Sequence, residues 1–188
     1  MIKGDQTRTK LIQTVVNLLK VKGYNGIGLQ EIVRESKTPK GSLYFHFPNG
    51  KKELVKTAVK QVGEEINDLL KISFERFSDV NTVIKLVIDY FIDELKTSDF
   101  QKGCPVATTT MDNDSASDIL QVQCGNSFRL WEKTITDHLI TEGFSKTESK
   151  KKAMFLLSTI EGAIMLCQAY KSLEPLEVAA EYLSTVTS

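Results

Sequence analysis

Residues 38–47 read Thr38-Pro39-Lys40-Gly41-Ser42-Leu43-Tyr44-Phe45-His46-Phe47, and the reading of the chain turns on them. The pattern predicts a very short helix. Thr38 suits an N-cap, and Pro39 suits the first helical position, where a missing N–H costs nothing. Gly41 falls in the first turn, which is poor for helix stability but good where a backbone must approach something closely. Lys40, Ser42, Tyr44 and His46 supply donors. Leu43 and Phe47 stand four apart, share one face and can anchor the helix. Phe45 is open to either use. So short a helix is marginal alone and depends on packing. An anchored short helix carrying small, basic and phenolic groups has the character of a DNA recognition helix.

The flanks agree. Gln30 to Glu35 suits another short helix, with Ile32 and Val33 facing inward, and Ser36-Lys37 makes the turn into Thr38. Two short helices joined this way form a helix-turn-helix, whose second helix enters the major groove. Thr7 to Lys22 is a longer helix, with Leu11, Ile12, Val15, Val16 and Leu19 at helical spacing and Gly23 as its stop. Another helix opens at Lys51-Lys52-Glu53-Leu54, after Pro48-Asn49-Gly50.

The order of these features, from Gly23-Tyr24 through Pro39–Phe47 to Lys-Glu-Leu, resembles the N-terminal domain of TetR-type transcriptional repressors over roughly residues 7–60. Pro-Lys-Gly-Ser followed by Phe-Pro-Asn-Gly-Lys, and the later Gly103-Cys104-Pro105-Val106, resemble the LmrA/YxaF-like branch. One departure is Gly28, where the wider family has Thr or Ser capping the second helix. A phosphate contact there must come from backbone N–H groups alone.

The 188 residues suffice for one large domain or two small ones, and the formal net charge is zero. The charge is unevenly spread: residues 1–60 hold 12 Lys/Arg against 4 Asp/Glu, and residues 61–188 hold 12 against 20. The basic block coincides with the helix-turn-helix, as a nucleic-acid footprint should; a merely solvated face is the plain alternative. Cys104, Cys124 and Cys167 are an odd number without close pairing, which suggests a reducing cytosol and a cytoplasmic protein. No signal peptide is expected. The best membrane-span candidate, Ala153 to Tyr170, contains Glu161 and Gln168 and falls short of a clean apolar span.

The remainder reads as helix after helix, so the expected fold is all-α. About nine helices are expected: a three-helix N-terminal domain over residues 1–50 and a larger helical domain over 51–188. Lys51 to about Phe77 reads as one long helix. Ser78 or Asp79 caps the next, on which Val83, Val87, Phe91 and Leu95 recur every four residues. Ser98 to Asn113 is irregular, with a short helix and a loop but no domain boundary. Ser115-x-x-Asp118 and Ser145-x-x-Glu148 look like capping boxes, and Pro175 starts the last helix. The helix around Ala153–Tyr170 is apolar nearly all round, with Ala153, Leu156, Leu157, Ile160, Ala163, Ile164 and Cys167 as a broad stripe. It is either a central core helix or a helix buried on one side by a second subunit, together with Ala179, Ala180 and Leu183 from Pro175–Thr187.

The resemblance implies a ligand-responsive repressor that binds a palindromic double-stranded operator as a homodimer, through those last two helices, and is released by a small-molecule inducer. Lys40 then meets a guanine edge or a phosphate, and Gly41 admits the DNA backbone. Ser42 reaches a base or a phosphate. Tyr44, His46 and Lys51 bond phosphates, Gly28 does so through its backbone, and Thr38 and Pro39 touch a thymine methyl. Packing is the plain alternative for Tyr44 and His46, and a solvated surface for Lys51. Candidate ligand-binding residues are Phe91, Phe100, Met111, Phe128, Trp131, Phe155 and Glu161; aromatics at helical spacing also serve as ordinary core. Glu161, a carboxylate within an apolar helix, needs a partner. It can orient a ligand, pair across a dimer or reach solvent. The LmrA/YxaF resemblance suggests apolar ligands such as aromatic drugs or plant phenolics. No cofactor or metal is implied. His46 and His138 are the two histidines, and neither sits in a catalytic or metal-binding pattern, so an enzyme is disfavoured. A helical protein-binding adaptor remains the other class.

Overall fold

Leu11, Ile12, Val15 and Leu19 are buried along one face of the first helix, as their spacing requires, and the neighbouring helices pack on that face. The computed structural model describes residues 3–112 and 118–186. Within them lie nine helices and no strand. They are α1 (Lys3–Lys22), α2 (Leu29–Ser36), α3 (Lys40–His46), α4 (Lys51–Arg76), α5 (Val80–Thr97), α6 (Pro105–Met111), α7 (Asp118–Thr141), α8 (Lys146–Tyr170) and α9 (Glu174–Val186).

Contacts gather into two units. One is Met1–Gly63 with Pro105–Ser127, and the other is Glu64–Cys104 with Phe128–Ser188. The seams fall inside α4, inside α7 and at the Cys104–Pro105 bond, so one seam lies within the irregular stretch read from sequence as containing no boundary. In the first unit α2, α3 and α6 pack on α1. Ile32, Leu43, Phe47 and Leu54 complete its core. In the second unit α5, α8 and α9 pack on one another around Ile88, Leu95, Leu156, Leu176 and Leu183.

The helix ends follow local chemistry. Asp79 caps α5, its carboxylate accepting from the Asn81 N–H at 3.2 Å and the Thr82 N–H at 3.0 Å. Those bonds, led by the one from the Thr82 hydroxyl, hold its pKa below the ordinary 3.8. Ser145 caps α8 through the Glu148 N–H at 3.2 Å, as the sequence predicts. Gly23 closes α1 with φ of 63°. A side chain there would also meet Asp112, since a Cβ would lie 2.7 Å from Oδ2.

Several expectations are corrected. The N-cap of α3 is Pro39, with φ −61° and ψ 143°, and the helix begins at Lys40. The Thr38 hydroxyl lies 2.7 Å from the Ser36 hydroxyl instead, and Thr38 is only 7% exposed. Val33 is half-buried rather than inward. Ala179 and Leu183 are buried within their own unit, so they are not free to cover a second subunit. The exposed apolar side chains on these helices include Met154, Phe155, Met165 and Tyr170 of α8, with Val178 and Tyr182 of α9. By length and composition α8 does qualify as a membrane span, with a mean hydropathy of 1.4 over its best 18 residues. Here its buried face packs in the second unit. The Ser115 capping box and Thr187 lie outside the described residues.

Asp79 gives the first test. Asp79→Ala removes the acceptor for two N–H groups and should lower stability by about 1 kcal/mol, read as a shift in urea midpoint with unchanged slope. The loss should vanish in acid, where the wild-type carboxylate is protonated and no longer holds those bonds as an anion.

Candidate nucleic-acid interface and ligand cavity

The turn between α2 and α3 is tight. Lys37 takes the left-handed conformation with φ of 53°, and its N–H bonds the Arg34 carbonyl at 3.2 Å. The Thr38 N–H bonds the Val33 carbonyl at 3.3 Å. Three residues, Lys37, Thr38 and Pro39, therefore make the whole turn, and α3 leaves with Leu43 and Phe47 fully buried. The Arg8 guanidinium lies 5.5 Å from the centre of the Phe47 ring.

What points outward follows from what points inward. Lys40, Gly41, Tyr44 and Phe45 are exposed, Ser42 and His46 half-exposed. Pro39 and Gly28 are also exposed. Thr38 is not brought to this surface. Phe45, which sequence reading left open, is 79% exposed. Its position was legible: it lies two residues from both Leu43 and Phe47, about 200° round the helix, and four from Gly41. Gly41 and Phe45 therefore form one outward edge, a bare backbone beside an apolar ring.

Space around the glycines separates structural from external causes. A Cβ on Gly41 or Gly28 would meet nothing within 4 Å. Gly28 caps α2 with φ −99°, a conformation open to any residue, and its own N–H bonds the Glu31 carboxylate. Gly50 differs: its φ is 69° and the Tyr44 ring would lie 3.6 Å from its Cβ. Tyr44 thus leans over the start of α4. Lys51, the first residue of α4, sits 4.1 Å above the centre of the Tyr24 ring. Burial lowers its pKa and Asp112 opposes the shift. Asp112, just after α6, also accepts the backbone N–H of Asn25, and the Asn25 side chain donates to the Asp112 carbonyl at 2.7 Å.

The second unit contains a cavity of about 60 Å³, measured for the centre of a water-sized sphere. Its accessible surface is wholly apolar. Phe74 of α4, Phe91 of α5, Trp131 of α7 and Ile160 of α8 help line it, with Cys104 and Glu161 in the wall. Three ligand-site candidates from sequence therefore meet here: Phe91, Trp131 and Glu161. Phe128 touches Trp131 edge-on at 5.3 Å without lining the cavity. Phe155 is 50% exposed on α8, Phe100 lies beneath Lys171, and Met111 is 66% exposed in the first unit. None of those three lines it.

Glu161 is the anomaly. Its Oε2 is fully enclosed and has no hydrogen-bond partner. Burial pushes its pKa up from the ordinary 4.5 to about 7, with a bond from the Cys104 thiol pulling the other way. A carboxyl with a raised folded pKa loses stability as pH climbs from 4.5 to 7, because the unfolded chain ionises first. Wild-type protein should accordingly lose on the order of 3 kcal/mol across that window at most. Glu161→Gln should be nearly flat, so the two stability curves should diverge between pH 4.5 and 7 and run parallel above. Urea melts at several pH values give the comparison.

With both sites described, comparison with known proteins fits closely. Residues 11–58 match the family described as "Bacterial regulatory proteins, tetR family". Residues 81–182 match "Transcriptional regulator LmrA/YxaF-like, C-terminal domain". The chain is 35% identical to the HTH-type transcriptional regulator YxaF of Bacillus subtilis over 181 residues, covering 96% of this chain and 94% of the relative. It is 30% identical to the HTH-type transcriptional regulator LmrA of the same organism, over 94% and 93%. A TetR-family regulator from Cytophaga hutchinsonii shares the fold, with a TM-score of 0.81, 24% identity and coverage of 100% and 96%.

The protein is thus a helix-turn-helix transcriptional regulator and not an enzyme. It belongs to the TetR family, and its C-terminal part is of the LmrA/YxaF-like kind. Regulators of this family are typically ligand-responsive repressors and usually bind operator DNA as dimers.

Proposed function

We propose that residues 1–50 bind a palindromic operator, that residues 51–188 sense a small apolar or aromatic molecule and form a homodimer, and that ligand binding releases the DNA. The observation that carries this reading is the outward edge of α3: Lys40, Gly41, Tyr44 and Phe45 exposed on a helix pinned by Leu43 and Phe47. Lys40 reads a guanine edge or pairs with a phosphate, and the Phe45 ring offers an apolar contact for a thymine methyl. Pro39 and Ser42 flank them. Tyr44, His46, Lys51 and the backbone N–H groups at the start of α2 hold phosphates. Two such helices one DNA turn apart require a two-fold axis. The exposed apolar residues of α8 and α9 suit that axis: Met154, Phe155, Met165, Tyr170, Val178 and Tyr182. A soluble, cytoplasmic dimer is the working form.

Chain continuity supports a route for the signal. Cys104 stands in the cavity wall, and the next residue starts α6. In the first unit α6 is tied to α1, with the Thr108 hydroxyl donating to the Leu19 carbonyl at 2.8 Å, and Asp112 is tied to Asn25. Phe74 of the cavity and Lys51 beside α3 lie on the same helix, α4. A ligand that prefers the widened cavity shifts the population away from the DNA-binding state.

Footprinting on the DNA flanking the protein's own coding region tests the class. A protected palindrome is expected, with binding that weakens steeply as salt rises through counterion release. Lys40→Ala should weaken it by about 1–3 kcal/mol; affinity within about twofold of wild type at fixed salt would show that α3 does not read DNA. A flat salt response would favour a protein-binding adaptor.

Gly41 gives a test with opposite signs. The free protein has room for a methyl group there, so Gly41→Ala should raise stability by about 0.5–1 kcal/mol. The same change should weaken operator binding, because the methyl stands between backbone and DNA. Thermal melts and operator titrations on one preparation read both effects.

A further inference from the structure

We propose that the molecule recognised in the cavity is an apolar aromatic amine, bound as a cation with its ammonium against Glu161. This rests on the ligand-sensing reading above and makes it chemically specific. Among the lining residues the titratable side chains are Glu161 and the Cys104 thiol that bonds it, and Trp131 adds an indole N–H. No Lys, Arg or His lines the cavity. One carboxyl oxygen is therefore enclosed without a partner, and among the described residues no cationic side chain lines the cavity beside it.

Three ligand chemistries compete for such a site. A purely apolar ligand fills the space but leaves Oε2 stranded, since nothing on the ligand can bond it. A polyphenol brings several hydroxyls into a wall whose polar groups are one carboxyl, one thiol and one indole N–H, and each unmatched hydroxyl weakens binding by roughly tenfold or more. An amine brings one cationic group, which matches the one anionic group. The aromatic faces of Phe74, Phe91 and Trp131 suit the rest of such a molecule and favour a cation as well as an apolar body. The accessible surface of the cavity is apolar as it stands, so the amine must widen it for its ammonium to reach the enclosed Glu161 carboxyl.

Proton linkage gives the proposal a sign. Free protein holds Glu161 partly protonated near neutrality. A bound ammonium favours the ionised form, so binding expels a proton from that fraction. Amine affinity should then rise with pH up to about 7 and level off above, until the amine loses its own proton. The second titratable group in the wall, Cys104, bonds Glu161 through its thiol.

Trp131 is the only tryptophan in the chain and lines the cavity, so its fluorescence reports binding directly. The probes are 4-butylbenzylamine and 4-butylbenzyl alcohol, titrated into the full-length protein. At about pH 7.5 the amine should bind at least tenfold tighter than the alcohol, and Glu161→Gln should erase that preference while retaining the alcohol. Amine affinity in wild type should fall by up to about tenfold per pH unit below 7, an arm that needs no variant to fold. Equal binding of both probes, or a pH-independent amine affinity, would overturn the amine assignment and leave the cavity as the sensing site. Failure of both probes to perturb Trp131 would overturn the cavity reading together with it. If Glu161→Gln changed the dimer dissociation constant and not the amine preference, Glu161 would be an interface residue and the proposal would fall.

Discussion

Leu43 and Phe47 are what a seven-residue helix has in place of length. Two turns of helix give few internal bonds, and isolated helices this short do not persist in water. Full burial of two large side chains supplies about 1.5–3 kcal/mol each, and both are sealed. The Phe47 N–H closes the helix on the Leu43 carbonyl at 2.8 Å, so the anchoring residues also carry the last bond. Once these two are fixed, the direction of every other side chain on α3 is fixed with them. Gly41 and Phe45 face out because Leu43 and Phe47 face in. The tight turn at Lys37 matters for the same reason, since it sets the angle at which α3 leaves α2.

Much of this was legible in the sequence because it rests on local rules. The anchoring pair, the stop at Gly23, the caps at Asp79 and Ser145 and the basic block need only spacing and residue chemistry. Thr38 failed for a local reason too. A proline can supply helical φ while its ψ stays extended, so Pro39 became the half-in residue and left the Thr38 hydroxyl one position too early to cap. The sensing end was less legible. On α8, Phe155 and Leu156 are adjacent and equally apolar, yet one is exposed and the other buried. A helix that is apolar all round carries no periodic signal to tell its two faces apart. Phe91 and Trp131 reached the cavity while Phe100 and Phe155 did not, and only tertiary packing decides that.

The small size of the cavity has consequences under the sensing reading. About 60 Å³ holds a water or two and not an aromatic molecule. Binding must therefore select a widened state that is rare in the free protein, and the apparent affinity is reduced by the rarity of that state. The same requirement makes the site a switch. A ligand that bound both states equally well would shift nothing, however tight the binding. Because α4 and the Cys104–Pro105 bond run from cavity-lining residues into the first unit, widening has covalent routes to the helices beside α3.

Gly28, Gly41 and Glu161 each depart from the locally favoured choice. Gly28 brings no side-chain cap of its own to α2, although its N–H bonds the Glu31 carboxylate, Gly41 weakens a helix that has room for a methyl group, and Glu161 strands one carboxyl oxygen in apolar surroundings. Local conflicts of this kind persist where something outside the chain resolves them. Under the proposed reading, that external object is a DNA backbone close against the two glycines and, for Glu161, a small donor that enters the cavity. A fold stabilised by only 5–15 kcal/mol feels three such defects, so the free protein should sit well below the stability its helices could reach. On that reading DNA and ligand each stabilise the protein, and they compete only through the conformation that each one prefers.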